Sequence, residues 1–122
     1  MIVGFVDALR RPVIELQIAG RRSRRTVDAA VDTGFTGYIA LPRRVVLQLK
    51  LEYFVSRGVR IGDNTVKPFE YYKVRESWDG RVRHVLALCS DAGPLVGTSM
   101  LLDHTLFADV IPGGVVRIAQ RT

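Results

Sequence analysis

Apolar and polar positions along the chain change places every few residues, and most of the changes have a period of two. Val13-Ile14-Glu15-Leu16-Gln17-Ile18 alternates as a half-buried strand does. Residues 2 to 9 are rich in β-formers and predict a strand before it, with Arg10-Arg11-Pro12 as the turn between them. Gly20 and the cluster Arg21-Arg22-Ser23-Arg24-Arg25 predict the next turn, and Thr26 to Val31 returns as a third strand. Tyr38 to Leu41 is a short apolar strand. From Pro42 to Leu51, Val45, Val46 and Leu49 recur at helical spacing opposite Arg43, Arg44 and Lys50, which predicts an amphipathic helix entered through a proline.

Farther on, Val59-Arg60-Ile61, the turn Gly62-Asp63-Asn64 and the run from Val66 to Val74 predict a hairpin. Asp79-Gly80 is a two-residue hairpin turn signal, followed by a strand from Val82 to Cys89. Pro94 to Gly97 predicts a brief strand, with Thr98 or Ser99 capping a helical turn through Leu102 and Asp103. Leu106 to Ile111 and Val115 to Ile118 then form a closing pair of strands about Pro112-Gly113-Gly114. Roughly nine short strands, one modest helix and one helical turn predict an all-β barrel or sandwich. The 122 residues suit one domain spanning 1–122.

Composition narrows the function classes. The net charge of +6 raises the question of an anionic partner, but arginine is spread along the chain. The one dense cluster, between two strands, reads as a solvated hairpin end and not as a phosphate clamp. Cys89, the single cysteine, lies in an apolar run and reads as a buried, inert thiol. His84 and His104 are isolated and read as structural or surface residues, so no metal or other cofactor is expected. Tyr71, Tyr72 and Trp78 read as packing residues, and Asp103 and Asp109 as outer-face carboxylates. Asp7 interrupts the first apolar run, so the N-terminus does not read as a signal peptide. No apolar stretch approaches the roughly 18 residues of a membrane span. A cytoplasmic protein without a membrane partner is expected.

The candidate chemistry lies in Val31-Asp32-Thr33-Gly34-Phe35-Thr36-Gly37, where a strand delivers a carboxyl group onto a turn. Gly34 and Gly37 permit positive φ or close backbone approach, and Thr33 and Thr36 can hold the loop through local hydrogen bonds. Taken alone, Asp-Thr-Gly reads better as a glycine-rich turn with a solvated aspartate than as a catalytic motif. The later segment Leu95-Val96-Gly97, leading into Met100, Leu101 and Leu102, changes the balance.

Together the two segments resemble the retropepsin-like aspartic proteases, in particular the small bacterial single-domain members, and the resemblance spans nearly the whole chain. It implies a closed β-barrel in which Asp32 supplies the catalytic carboxylate. Thr33 is similar to the residue whose hydroxyl ties two such loops across a dimer axis, and Gly34 to the glycine that lets substrate backbone lie close. Thr36, Leu95, Val96 and Gly97 would support the loop. The turn at Gly62, Asp63, Asn64 and Thr65 occupies the place of the flap over a bound peptide. Ser99 departs from the pattern, because members often carry Asp or Asn there. The chemistry implied is hydrolysis by a water held between two carboxyl groups about 3 Å apart that share one proton, the arrangement of aspartic proteases in general. Because the chain has one Asp-Thr-Gly, the second carboxylate must come from a second copy, in an obligate homodimer acting on a peptide or protein. Two other readings keep a place. One is a catalytically silent dimeric binding module of the same fold. The other is a basic DNA-binding regulator, since Ile39 to Val46 is similar to the strand-Leu-Pro-helix entry of swapped-hairpin antitoxin-type factors, although those are much shorter and give Asp32 no role.

Overall fold

The computed structural model describes residues 1–122. It has ten strands: β1 (Ile2–Val6), β2 (Pro12–Ala19), β3 (Arg24–Val31), β4 (Ile39–Leu41), β5 (Glu52–Arg60), β6 (Val66–Trp78), β7 (Arg81–Cys89), β8 (Leu95–Val96), β9 (His104–Ala108) and β10 (Val115–Gln120). Two short helices, α1 (Arg43–Gln48) and α2 (Thr98–Leu101), complete it.

All ten strands join one sheet in the order β5-β6-β7-β4-β8-β3-β2-β1-β10-β9. A further pairing of β2 with β6, through Gln17↔Ser77, Ile18↔Glu76 and Ala19↔Arg75, closes six of them into a barrel. The alternating residues Ile14, Leu16 and Ile18 of β2 point inward, where they meet Val74, Ile39, Leu41, Val96 and Met100. Burying such side chains contributes about 1.5–3 kcal/mol each, and this holds the closure against the entropy of ordering long-range strands. β1, β10 and β9 extend the sheet past β2. β5 pairs only with β6, and their shared far end projects as a two-stranded arm with mostly exposed residues.

Several boundaries differ from expectation for identifiable reasons. β1 stops at Val6, short of Leu9, because the Asp7 carboxylate accepts hydrogen bonds from the Leu9 and Arg11 amides and pulls the chain into a turn. β3 starts at Arg24, so two arginines of the basic cluster belong to a strand and not to the turn. The helix is confined to Arg43–Gln48, with Pro42 as its N-cap and Lys50 in the left-handed region at φ 50° ending it. β5 begins at Glu52, well before Val59, and β9 begins at His104 and ends at Ala108. The expected hairpin turn at Asp79-Gly80 is present, with φ of 49° and 83° at the two residues.

Candidate active-site loop

The position of Asp32 follows from β3. Val27, Ala29, Ala30 and Val31 are buried and fix the strand, and the chain leaves the sheet at the next residue. The Asp32 amide still donates to the Val96 carbonyl at 2.9 Å, one step beyond the parallel Val31↔Val96 pair of β3 and β8. The Asp32 Oδ1 accepts the Gly34 amide at 2.9 Å, and its carbonyl accepts the Phe35 amide at 3.1 Å. The carboxyl group is half-buried at the base of this turn, and Thr33 and Gly34 are exposed at its crest.

The descending side of the loop hangs on the start of α2. Its carbonyls at Phe35, Gly37 and Tyr38 accept the amides of Thr98 (2.8 Å), Ser99 (3.2 Å) and Gly97 (2.9 Å). The first N–H groups of a helix have no partner within it, and here the loop uses them. Ser99 Oγ adds a hydrogen bond to the Thr36 carbonyl at 2.6 Å. β8 thus lies between the strands on either side of the loop, parallel to β3 and antiparallel to β4. The structure therefore brings Asp32, Thr33, Gly34 and Thr36 together with Leu95, Val96 and Gly97.

Three expectations about the loop are corrected. Neither Thr33 nor Thr36 holds it through a hydroxyl, since main-chain amides and Ser99 do that work and Thr36 contributes its carbonyl. Gly34 and Gly37 do not occupy the positive-φ region. Close approach is what requires glycine, most clearly at Gly97, where a Cβ would stand 2.2 Å from the Gly37 carbonyl oxygen. Thr98 and Ser99 do not cap α2, because Gly97 is its N-cap and both side chains turn to the loop.

Gly62, Asp63, Asn64 and Thr65 lie at the tip of the β5–β6 arm, and their hydrogen bonds are local. The Thr65 amide and hydroxyl donate to Asp63 Oδ1, and the Asn64 amide donates to the Ile61 carbonyl. No hydrogen bond links this tip to the Asp32 loop.

Elsewhere, Tyr72 and Trp78 are buried in the core and Cys89 is a buried free thiol whose ionisation is pushed up by burial. Trp78 Nε1 donates to His104 Nε2 at 3.2 Å, and His104 Nδ1 lies 2.8 Å from the Leu102 carbonyl, so a neutral ring protonated at Nδ1 satisfies both. Asp103 and Asp109 are exposed. No group of three His, Cys, Asp or Glu side chains is placed to share a metal ion, and no helix is long and apolar enough to cross a membrane.

Two features were missed from sequence. Arg43 on α1 pairs with Glu70 on β6, and that guanidinium, helped by the Tyr72 hydroxyl, holds the Glu70 carboxyl below its ordinary range. Glu76 is 1% exposed, and neither carboxyl oxygen has a hydrogen-bond partner. Burial pushes it up to about 7, opposed by the charge of Arg83. The signal was available, because Tyr72, Val74, Glu76 and Trp78 share one face of β6 at period two.

A concavity of about 810 Å³ does not include Asp32; it lies along the β6–β7 hairpin and touches the loop only at Tyr38, where the loop ends. A scan against protein-family models finds no match for this chain, and a search of curated proteins finds none either.

Proposed function

We propose that the protein is an aspartic endopeptidase of the retropepsin-like type, active as a homodimer in which two copies of Asp32 form the catalytic pair. The observation that carries this reading is the double suspension of the Asp32 loop. Its rising side pairs with Val96, and its descending side takes the amides of residues 97–99. A solvated turn aspartate has no need of such a support, whereas a carboxyl group that must meet a partner at hydrogen-bond distance does.

Asp32 uses Oδ1 to accept from Gly34, which fixes the plane of the carboxyl group and leaves Oδ2 without a partner in the protomer. In a symmetric pair, that oxygen faces its equivalent across the axis. Two like charges so close cannot both ionise cheaply, so the pair holds one proton. The ionised member takes a proton from a water between the two groups, and the neutral member donates to the scissile carbonyl as the water attacks it. In such a dimer the exposed Thr33 side chain is the group that would reach the second loop.

Ser99 bears on the silent-module alternative. The residue that departs from the family pattern still braces the loop, through its amide and its hydroxyl. A buried single cysteine fits a reducing, cytoplasmic setting. The deciding experiment is hydrolysis of a peptide library by the wild-type chain and by Asp32→Asn. Turnover that is lost with the carboxylate supports the reading, and turnover retained by Asp32→Asn overturns it.

A further inference from the structure

The 810 Å³ concavity beside the Asp32 loop carries a charge pattern that the hydrolytic chemistry does not use. Its floor is the β6–β7 hairpin, where Lys73 is paired with Leu86 and Arg75 with His84. Its walls are the Gly20-Arg21 turn and the segment joining α1 to β5, with Lys50 and Glu52. Five cations, Arg21, Lys50, Lys73, Arg75 and Arg83, face one carboxylate, Glu52.

Three of these cations are held in place. Arg75 Nη2 donates to the Gly20 carbonyl at 2.6 Å, which joins the floor to one wall. Lys73 Nζ lies 2.9 Å from Glu52, joining the floor to the other. The Arg83 guanidinium stands 5.9 Å from the centre of the Tyr38 ring. Arg21 and Lys50 are exposed and make no ion pair within the chain. The cations outnumber their internal partners, and those already tethered need little further ordering to meet an anion.

From this arrangement we infer that the groove on the β6–β7 hairpin binds an acidic peptide segment, which enters beside Tyr38 and so runs toward the Asp32 loop. Several features favour a peptide over a nucleic acid. Glu52 in the wall repels a continuous phosphate backbone but leaves room for spaced carboxylates. Leu86 and Val85 offer apolar contact between the charges. The Tyr38 ring already faces Arg83 and is not a free stacking platform. That the groove selects substrates rests on the peptidase reading, whereas binding itself does not.

The test uses the full chain carrying Asp32→Asn, so that no probe is consumed. Binding of a fluorescein-labelled peptide rich in Glu and Asp is measured by anisotropy, beside its Gln and Asn counterpart and a labelled single-stranded oligonucleotide. The inference expects the acidic peptide to bind and its neutral counterpart to bind at least about tenfold more weakly. Adding Arg21→Glu and Lys50→Glu together should weaken the acidic peptide by about tenfold or more, with the unfolding temperature unchanged. Equal binding by the charge-reversed variant, no binding of the acidic peptide, or tighter binding of the oligonucleotide overturns it. Cleavage of neutral peptides by the wild-type chain, and its loss in Asp32→Asn, reads the peptidase proposal separately.

Discussion

Ser99 Oγ donates to the carbonyl of Thr36 at 2.6 Å, joining residues 63 positions apart across the foot of the Asp32 loop. This bond adds a side-chain tie to the main-chain bonds that hang the loop on α2. Ser99→Ala should cost about 1 kcal/mol of stability and lower kcat more than it raises KM, because the loop loses definition and not contact surface. Denaturant midpoints and steady-state kinetics check both. An unchanged kcat would show that the amide bonds suffice.

Gly97→Ala should be far more damaging. Its Cβ would meet the Gly37 carbonyl oxygen at 2.2 Å and Phe35 atoms at 2.7 Å, and these are backbone and a packed ring that cannot swing aside. A loss of at least about 2 kcal/mol is expected. At Gly34 a Cβ meets only Asp32 Oδ1, at 3.2 Å, so Gly34→Ala should keep the fold while disturbing the carboxylate. Thermal unfolding of the two variants side by side distinguishes these positions.

Glu76 sets an unusual pH dependence. Its folded-state value of about 7 lies above the ordinary 4.5, so between the two the native state holds a proton that the unfolded chain has lost. The stability it contributes is complete below 4.5 and is lost as pH rises through about 7, a change of about 3 kcal/mol. Urea midpoints at about pH 5 and about pH 8 should fall in that order, and Glu76→Leu should flatten the difference and stabilise the chain at the higher pH. A midpoint that rises instead would mean the carboxyl group finds a partner.

The opposite limb comes from surface carboxylates. Hydrogen bonds from Lys73 and Arg43 hold Glu52 and Glu70 below their ordinary 4.5, and those from Arg11 and Thr65 hold Asp7 and Asp63 below 3.8. Their contribution is lost as pH falls through those lowered values. The stability profile should therefore peak on the acid side of neutrality, and high salt should flatten its acid limb more than the limb due to Glu76.

Dimerisation as a condition of catalysis has its own signature. Titrating Asp32→Asn into a fixed amount of wild-type chain should quench turnover, because mixed dimers hold one ionisable Asp32. Specific activity should also rise with chain concentration until the dimer saturates. Activity that is linear in wild-type concentration, and indifferent to the variant, would place catalysis in the monomer.

Most of the barrel could be read from period-two alternation because its strands are buried on one face. Of β5 only the end at Val59 and Arg60 could be read, because an arm with both faces exposed leaves Glu52, Tyr53 and Ser56 no pattern to keep. The β2–β6 closure was hidden too, since the Ile18↔Glu76 pairing depends on positions far apart in the chain. For the site, Asp32, Leu95, Val96 and Gly97 were visible as two segments, and the structure supplied the link between them. The sequence-based reading overvalued the threonines, whose hydroxyls suggest hydrogen bonds that the main chain makes instead. It undervalued Ser99, which looked like a helix cap.

β8 has only two residues, yet it occupies the slot between two strands that are close neighbours in sequence. During synthesis, β3, the Asp32 loop and β4 emerge long before anything exists to fill that slot. The loop then has neither the Val96 carbonyl on one side nor the amides of residues 97–99 on the other. A nascent or truncated chain that stops before Leu95 can build most of its hairpins without a formed Asp32 loop. The Asp32 loop therefore takes its final shape only once the chain has been made through Ser99, about four-fifths of its length.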